Sequence, residues 1–147
     1  YLAEVCYKRG NLEQSFKYYD EILSIDNNDV VALNNYAYYL ALEKKDLNKA
    51  LEMSAKTLKK EPDNSTYLDT YAYILFLIKK YPEALKYIEL AILKGGTNSG
   101  AVLEHYGDIL YMNGQVDLAV STWKEAKEKG ETSEFIDIKI ESRELHE

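Results

Sequence analysis

A small residue followed by a large apolar one returns through this chain at a near-constant interval. The pairs are Ser15-Phe16, Ala50-Leu51, Ala84-Leu85 and Ala119-Val120, spaced 35, 34 and 35 residues apart. Tyr36, Ala37 and Tyr38 recur 35 residues later as Tyr71, Ala72 and Tyr73. A period of this length marks a stack of helix hairpins, in which each unit buries its apolar face only against its neighbours. Such arrays usually bind other molecules rather than transform them.

Within each unit the first helix carries an i, i+3, i+4, i+7 quartet, the spacing that places side chains on one helical face. The quartets are Leu33, Tyr36, Ala37, Leu40; Leu68, Tyr71, Ala72, Leu75; and Leu103, Tyr106, Gly107, Leu110. The small third member lets a partner helix approach closely while Leu and Tyr fill the space around it. Leu2, Ala3 and Cys6 repeat the pattern with its beginning missing. A complementary stripe on the second helices runs Ser15, Tyr19, Ile22; Ala50, Ser54, Thr57; Ala84, Ile88, Ala91; and Ala119, Trp123, Ala126. Trp123 and Cys6 are therefore expected in the core.

The connecting segments agree with this register. Gly10 and Gly114 suit the left-handed conformation that ends a helix, Asn11 and Asp46 suit N-caps, and Pro82 suits a first helical turn. Helices are expected to begin near residues 12, 30, 47, 65, 82, 100 and 116, after a partial helix over 1–9. A last helix, capped by Thr132 or Ser133, should present Phe135, Ile138 and Leu145 on one side and cover the final unit.

These features together resemble the tetratricopeptide repeat (TPR) family. The resemblance is carried by the quartets, the glycines of the intra-hairpin turn, the small residue opening each second helix, and Pro62 between units. It covers residues 1 to about 130, and the Leu-Asp-Thr-Tyr-Ala-Tyr and Leu-Glu-His-Tyr-Gly-Asp segments look like the C-terminal part of larger bacterial TPR proteins. It implies an all-α fold: a right-handed superhelical stack of antiparallel hairpins, or α-solenoid, closed by a capping helix. The chain is expected to be one domain with units over 1–29 (truncated), 30–64, 65–99 and 100–131, and the cap over 132–145. Lys44-Lys45 replace the turn glycine and add a residue, while Ser54 and Thr57 weaken the second-helix stripe. The hairpin over 30–60 is thus expected to pack less tightly than its neighbours.

Composition narrows the partners. Eighteen basic against 25 acidic residues give a net charge of −7, the wrong sign for tracking phosphates, so nucleic acid is not expected as a partner. The longest apolar run, Tyr71 to Ile78, falls far short of the roughly 20 residues that cross a bilayer, so no membrane insertion is expected. A single cysteine rules out an intramolecular disulfide and leaves compartment undecided. The start within a repeat, without Met, reads as a piece of a longer protein whose targeting signals lie upstream.

The resemblance implies that a protein or peptide partner is held along the concave side, lined by the first helices. Residues one step round from each quartet should face that groove: Tyr7 and Lys8; Asn34 and Tyr38; Asp69, Tyr73 and Phe76; Glu104, Asp108 and Tyr111. Ten of the 14 tyrosines fall on first helices, and Tyr couples apolar area to a polar tip at small entropic cost. The family's chaperone-binding members grip terminal carboxylates with Lys, Arg and Asn, a pattern matched here only by Asn35. Asp69, Glu104 and Asp108 would repel a carboxylate, which points to a neutral or basic extended segment. The competing reading makes these charges an ordinary solvated surface.

Catalysis is not expected, nor is a cofactor or metal. His105 and Asp108 share a helical face without a third ligand or a nucleophile, and His105 reads as a surface histidine. The expected function is a non-catalytic protein-interaction scaffold. The alternative is a structural end of a longer superhelix that self-associates through its truncated N-terminal unit, where Leu2, Val5 and Phe16 lack cover.

Overall fold

The computed structural model describes residues 2–147; Tyr1 lies outside the described residues. Every regular element among them is helical: α1 (Leu2–Lys8), α2 (Leu12–Ile25), α3 (Val30–Leu42), α4 (Leu47–Lys60), α5 (Ser65–Leu77), α6 (Tyr81–Leu93), α7 (Gly100–Met112), α8 (Val116–Lys129) and α9 (Ile136–Ser142). A short 3₁₀ turn, Gly96–Asn98, precedes α7. Two compact units emerge, Tyr1–Pro62 with α1 to α4 and Asp63–Glu147 with α5 to α9.

Local chemistry explains where each helix starts and stops. Asn11, Asp29, Asn64 and Ser99 accept hydrogen bonds from the amides of Gln14, Ala32, Tyr67 and Val102, satisfying donors that have no partner in the first turn. All four intra-hairpin turns close with the same pair of backbone bonds. Gly10 N donates to Tyr7 O and Asn11 N to Cys6 O, and the pattern returns at Lys44-Lys45, Lys79-Lys80 and Gly114-Gln115. This is a Schellman arrangement, which needs a left-handed residue at its centre. Gly10 and Gly114 supply it freely at φ 81° and 83°, whereas Lys44 and Lys79 adopt φ 54° and 68° against a Cβ penalty of roughly 1–2 kcal/mol. The additional residue in the α3–α4 turn is absorbed by Asp46, also left-handed, whose side chain makes no capping bond.

Packing inside the hairpins follows the quartets. Ala37, Ala72 and Gly107 are sealed from solvent, as are Ser15, Ala50, Ala84 and Ala119 opposite them. Gly107 is dictated by its neighbour: a Cβ there would lie 2.3 Å from Trp123 Cδ1. Trp123 is fully buried and sits with Leu103, Leu110, Val120 and Ile136 in the core of the second unit. Cys6 is only half-buried. In the α3–α4 hairpin Thr57 bonds Ser54 O at 2.6 Å, but Ser54 Oγ is buried without a hydrogen-bond partner. An unpaired buried hydroxyl is the kind of weakness expected of that stripe.

The last helix departs from expectation. It begins at Ile136 rather than after a Ser or Thr cap, Ile138 is largely exposed, and the buried side is Ile136 and Lys139. Ser133 instead folds back: its Oγ accepts from Phe135 N, and its amide and hydroxyl donate to Glu104. A buried lysine defies apolar patterning, and its cause lies on α7.

Candidate protein-interaction face

In the first unit the first helices α1 and α3 meet through aromatic rings. Tyr7 stacks on Tyr39 at 3.8 Å between centroids and donates its hydroxyl to Glu43 Oε2 at 2.8 Å. Burial first, and the Glu43 carboxylate second, push the Tyr7 phenol well above its usual range. Tyr19 packs against both Tyr36 and Tyr39, at 5.3 and 6.1 Å. Tyr38 remains half-exposed, 6.2 Å from Tyr39. Lys8 is exposed and pairs with Glu4 at 3.2 Å. Asn34 is buried, and its Oδ1 has no hydrogen-bond partner.

The second unit carries charge at the position of Asn34, which recurs as Asp69 and Glu104. Asp69 on α5 is buried against His105 of α7, Oδ1 to Nδ1 2.8 Å, and Tyr73 stacks on that imidazole at 4.3 Å. His105 is therefore not a surface residue, in contrast to the sequence reading, because its helix turns it toward α5 rather than toward Asp108. Burial disfavours the imidazolium, yet the Asp69 charge and hydrogen bond, helped by Asp108 and Glu104, hold its pKa above the ordinary value. Phe76 is buried between Tyr73 and Tyr81, at 6.2 and 5.9 Å.

Glu104 and Asp108 converge on one cation. Lys139, only 3% exposed, lies 2.7 Å from Glu104 Oε2 and 2.9 Å from Asp108 Oδ1. Trp123 Nε1 donates to Asp108 at 2.9 Å, and Ser133 N donates to Glu104 at 2.6 Å. Burial raises a carboxyl pKa, but for Glu104 the bonds from Lys139 and Ser133 outweigh it and hold the group below its usual range. For Asp108 burial prevails over Lys139 and His105, with Glu104 adding to it, and the pKa rises to about 6. The two carboxylates thus split in opposite directions around a shared ammonium.

Of the ten candidate residues, Asn34, Asp69, Phe76, Glu104 and Asp108 are buried, and the three acids among them are engaged inside the chain. Tyr7, Tyr38, Tyr73 and Tyr111 are half-exposed and Lys8 is exposed. Tyr111 leans on Trp123 at 6.0 Å. Sequence reasoning missed Lys139 and gave Ser133 only as a helix cap, not as a partner of Glu104. Yet Lys139 stands 35 residues beyond Glu104, the interval that already links Asn34, Asp69 and Glu104, so the period itself was the signal. Among the described residues no cluster of three or more His, Cys, Asp or Glu side chains could hold a metal, and no helix is long and apolar enough to cross a membrane.

Comparison with known proteins agrees with this architecture. The tetratricopeptide repeat family model matches residues 1–129. No curated protein matches the sequence. Among solved structures, TTC0263 of Thermus thermophilus, a thermophilic TPR protein, superposes with a TM-score of 0.77 at 12% identity, covering 97% of this chain and 77% of its own. MamA of Desulfovibrio magneticus RS-1 gives 0.70 at 21% identity, covering 87% and 71%. YrrB, described as a TPR protein with an unusual peptide-binding site, gives 0.66 at 20% identity, covering 86% and 64%. At these identities the likeness is one of fold.

Proposed function

Because this chain belongs to the tetratricopeptide repeat family, whose fold serves as a protein–protein interaction scaffold, we propose that it is a non-catalytic module that holds an extended polypeptide segment against its first helices. The segment is neutral or basic. The supporting observation is the state of the tyrosines: Tyr38, Tyr73 and Tyr111 stay half-exposed beside quartet residues that are sealed, and each ring rests against another ring. An aromatic already held in place loses little rotamer freedom when a ligand packs on it, so more of its contact energy reaches binding. The net charge of −7 favours cationic over anionic segments at long range, although Glu104 and Asp108 are themselves matched by Lys139. That YrrB is described with a peptide-binding site fits this use of the fold.

Screening a panel of extended peptides, lysine-containing, neutral and acidic, tests the reading. A buried aromatic anchor contributes on the order of 2 kcal/mol, so Tyr73→Ala and Tyr111→Ala should each weaken the best neutral or basic binder by roughly thirtyfold. Affinity unchanged from the parent in both variants would contradict it. A second reading, self-association through the first unit, is favoured by Leu2 and Val5, which α1 leaves 68% and 42% exposed. It predicts concentration-dependent sedimentation that Leu2→Ser with Val5→Ser abolishes; a monomer at all concentrations would dismiss it.

A further inference from the structure

The first unit contains a pocket that runs against the charge of the molecule. It is a cavity of about 420 Å³ lined by Asn28 in the turn before α3, by Val30 and the buried Leu33 of α3, and by Lys56, Lys59 and Lys60 from the end of α4. The three lysines fall at i, i+3 and i+4, one face of α4, and all are exposed. No acidic side chain among the described residues lines the space. Asp26 and Asp29, which flank Asn28, are turned to backbone amides: Asp26 accepts from Asn28 N at 3.0 Å and Asp29 from Ala32 N at 3.1 Å. Lys60 Nζ reaches Asn28 O at 3.5 Å, while neither Lys56 nor Lys59 is ion-paired to a described residue.

We infer that this pocket binds an acidic segment of a polypeptide partner, with carboxylates on Lys56 and Lys59 and one apolar side chain against Val30 and the lysine stems. Three ammonium groups beside Val30 and the lysine stems complement a segment that alternates Asp or Glu with Leu or Val. The volume lies within the roughly 300–1,000 Å³ of ordinary ligand sites, more space than a lone inorganic anion fills. No aromatic side chain among the described residues lines it to stack a base. None of the ten candidate residues of the first helices lines the pocket, and its ligand has the opposite charge.

The test is fluorescence polarisation of the intact chain with a short labelled peptide of Asp and Glu carrying one central Leu. Saturable binding that weakens as salt rises is expected, with about a tenfold or greater loss in Lys56→Glu with Lys59→Glu. Lys124→Glu with Lys129→Glu, which changes the net charge equally on the second unit, should stay within about twofold of the parent, as should Tyr73→Ala. Lys56→Gln with Lys59→Gln supplies a milder variant whose fold is checked by circular dichroism, and it too should lose affinity. No saturable binding, equal losses in the two charge-reversal pairs, or displacement of the peptide by inorganic phosphate or by an oligonucleotide at matched charge would each overturn the inference. Because Tyr73→Ala reports on the first-helix face alone, failure here is distinct from failure of the function proposed above.

Discussion

The two units solve one packing problem with different chemistry. In each unit successive first helices must be joined to one another. In the first unit the junction is made of rings, Tyr7 on Tyr39 with Tyr19 behind them. In the second it is made largely of ions, Asp69 with His105 and Glu104 with Lys139, with the Tyr73 ring stacked on the imidazole. Stacked tyrosines gain from buried area and tolerate small shifts, whereas a buried ion pair is stabilising only while every partner is present. The same repeat can therefore be robust in one unit and dependent on a single cation in the other.

The sharpest way to break that contrast is Lys139→Met. It leaves Glu104 and Asp108 buried without their ammonium and should cost about 3–5 kcal/mol in urea unfolding followed by Trp123 fluorescence. Adding Glu104→Gln and Asp108→Asn should recover most of the loss; a single variant as stable as the parent would show that the cation is dispensable. Next in size is Gly107→Ala, whose methyl meets the buried Trp123 ring and should cost about 1–3 kcal/mol. The matched change in the first unit, Ala37→Gly, should cost only about 0.5–1 kcal/mol in the same assay.

Titration sharpens the comparison further. The folded pKa of His105 is raised above its ordinary 6.5, so its contribution is fully present below about pH 6.5 and is lost as pH rises through the folded value. Asp108, raised to about 6, acts in the same direction, because its folded state binds the proton more tightly than the unfolded chain does. Glu104 acts oppositely: its contribution is present above its ordinary 4.5 and is lost as pH falls through the lowered folded value. Melting temperature should accordingly decline from mildly acidic toward slightly alkaline pH, and His105→Gln should flatten the upper part of that decline. The smallest expected effect is Ser54→Ala in the first unit, near neutral to about 1 kcal/mol stabilising, since it removes a buried hydroxyl with no partner. Both are read by differential scanning calorimetry, and a flat profile in the parent protein would remove charge from the account of the second unit.

How far the molecule could be read in advance follows from the same contrast. The repeat register placed every helix start from α2 to α8 within a residue, because apolar spacing, Asn11 and the turn glycines are local signals. What local signals do not carry is which partner a polar side chain finds across the stack. Asp69, Glu104 and Asp108 look like a solvent-facing charge run until His105 and Lys139 are brought against them from 36, 35 and 31 residues away. Lys139 escaped notice because a lysine on a terminal helix is ordinarily solvated, and a buried one needs a carboxylate cradle that only the tertiary structure displays. His105 was misplaced for the same reason. The lysine pocket was invisible too, since its walls come from two helices and the turn before α3.

Native-state hydrogen exchange resolved by residue, comparing the parent protein with Lys139→Met, tests the central claim that first helices are joined by ions in one unit and by rings in the other. The account predicts a loss of amide protection concentrated in α7 to α9, with α1 to α4 exchanging as before. Unchanged protection in α7 to α9, or an equal loss across both units, would contradict it.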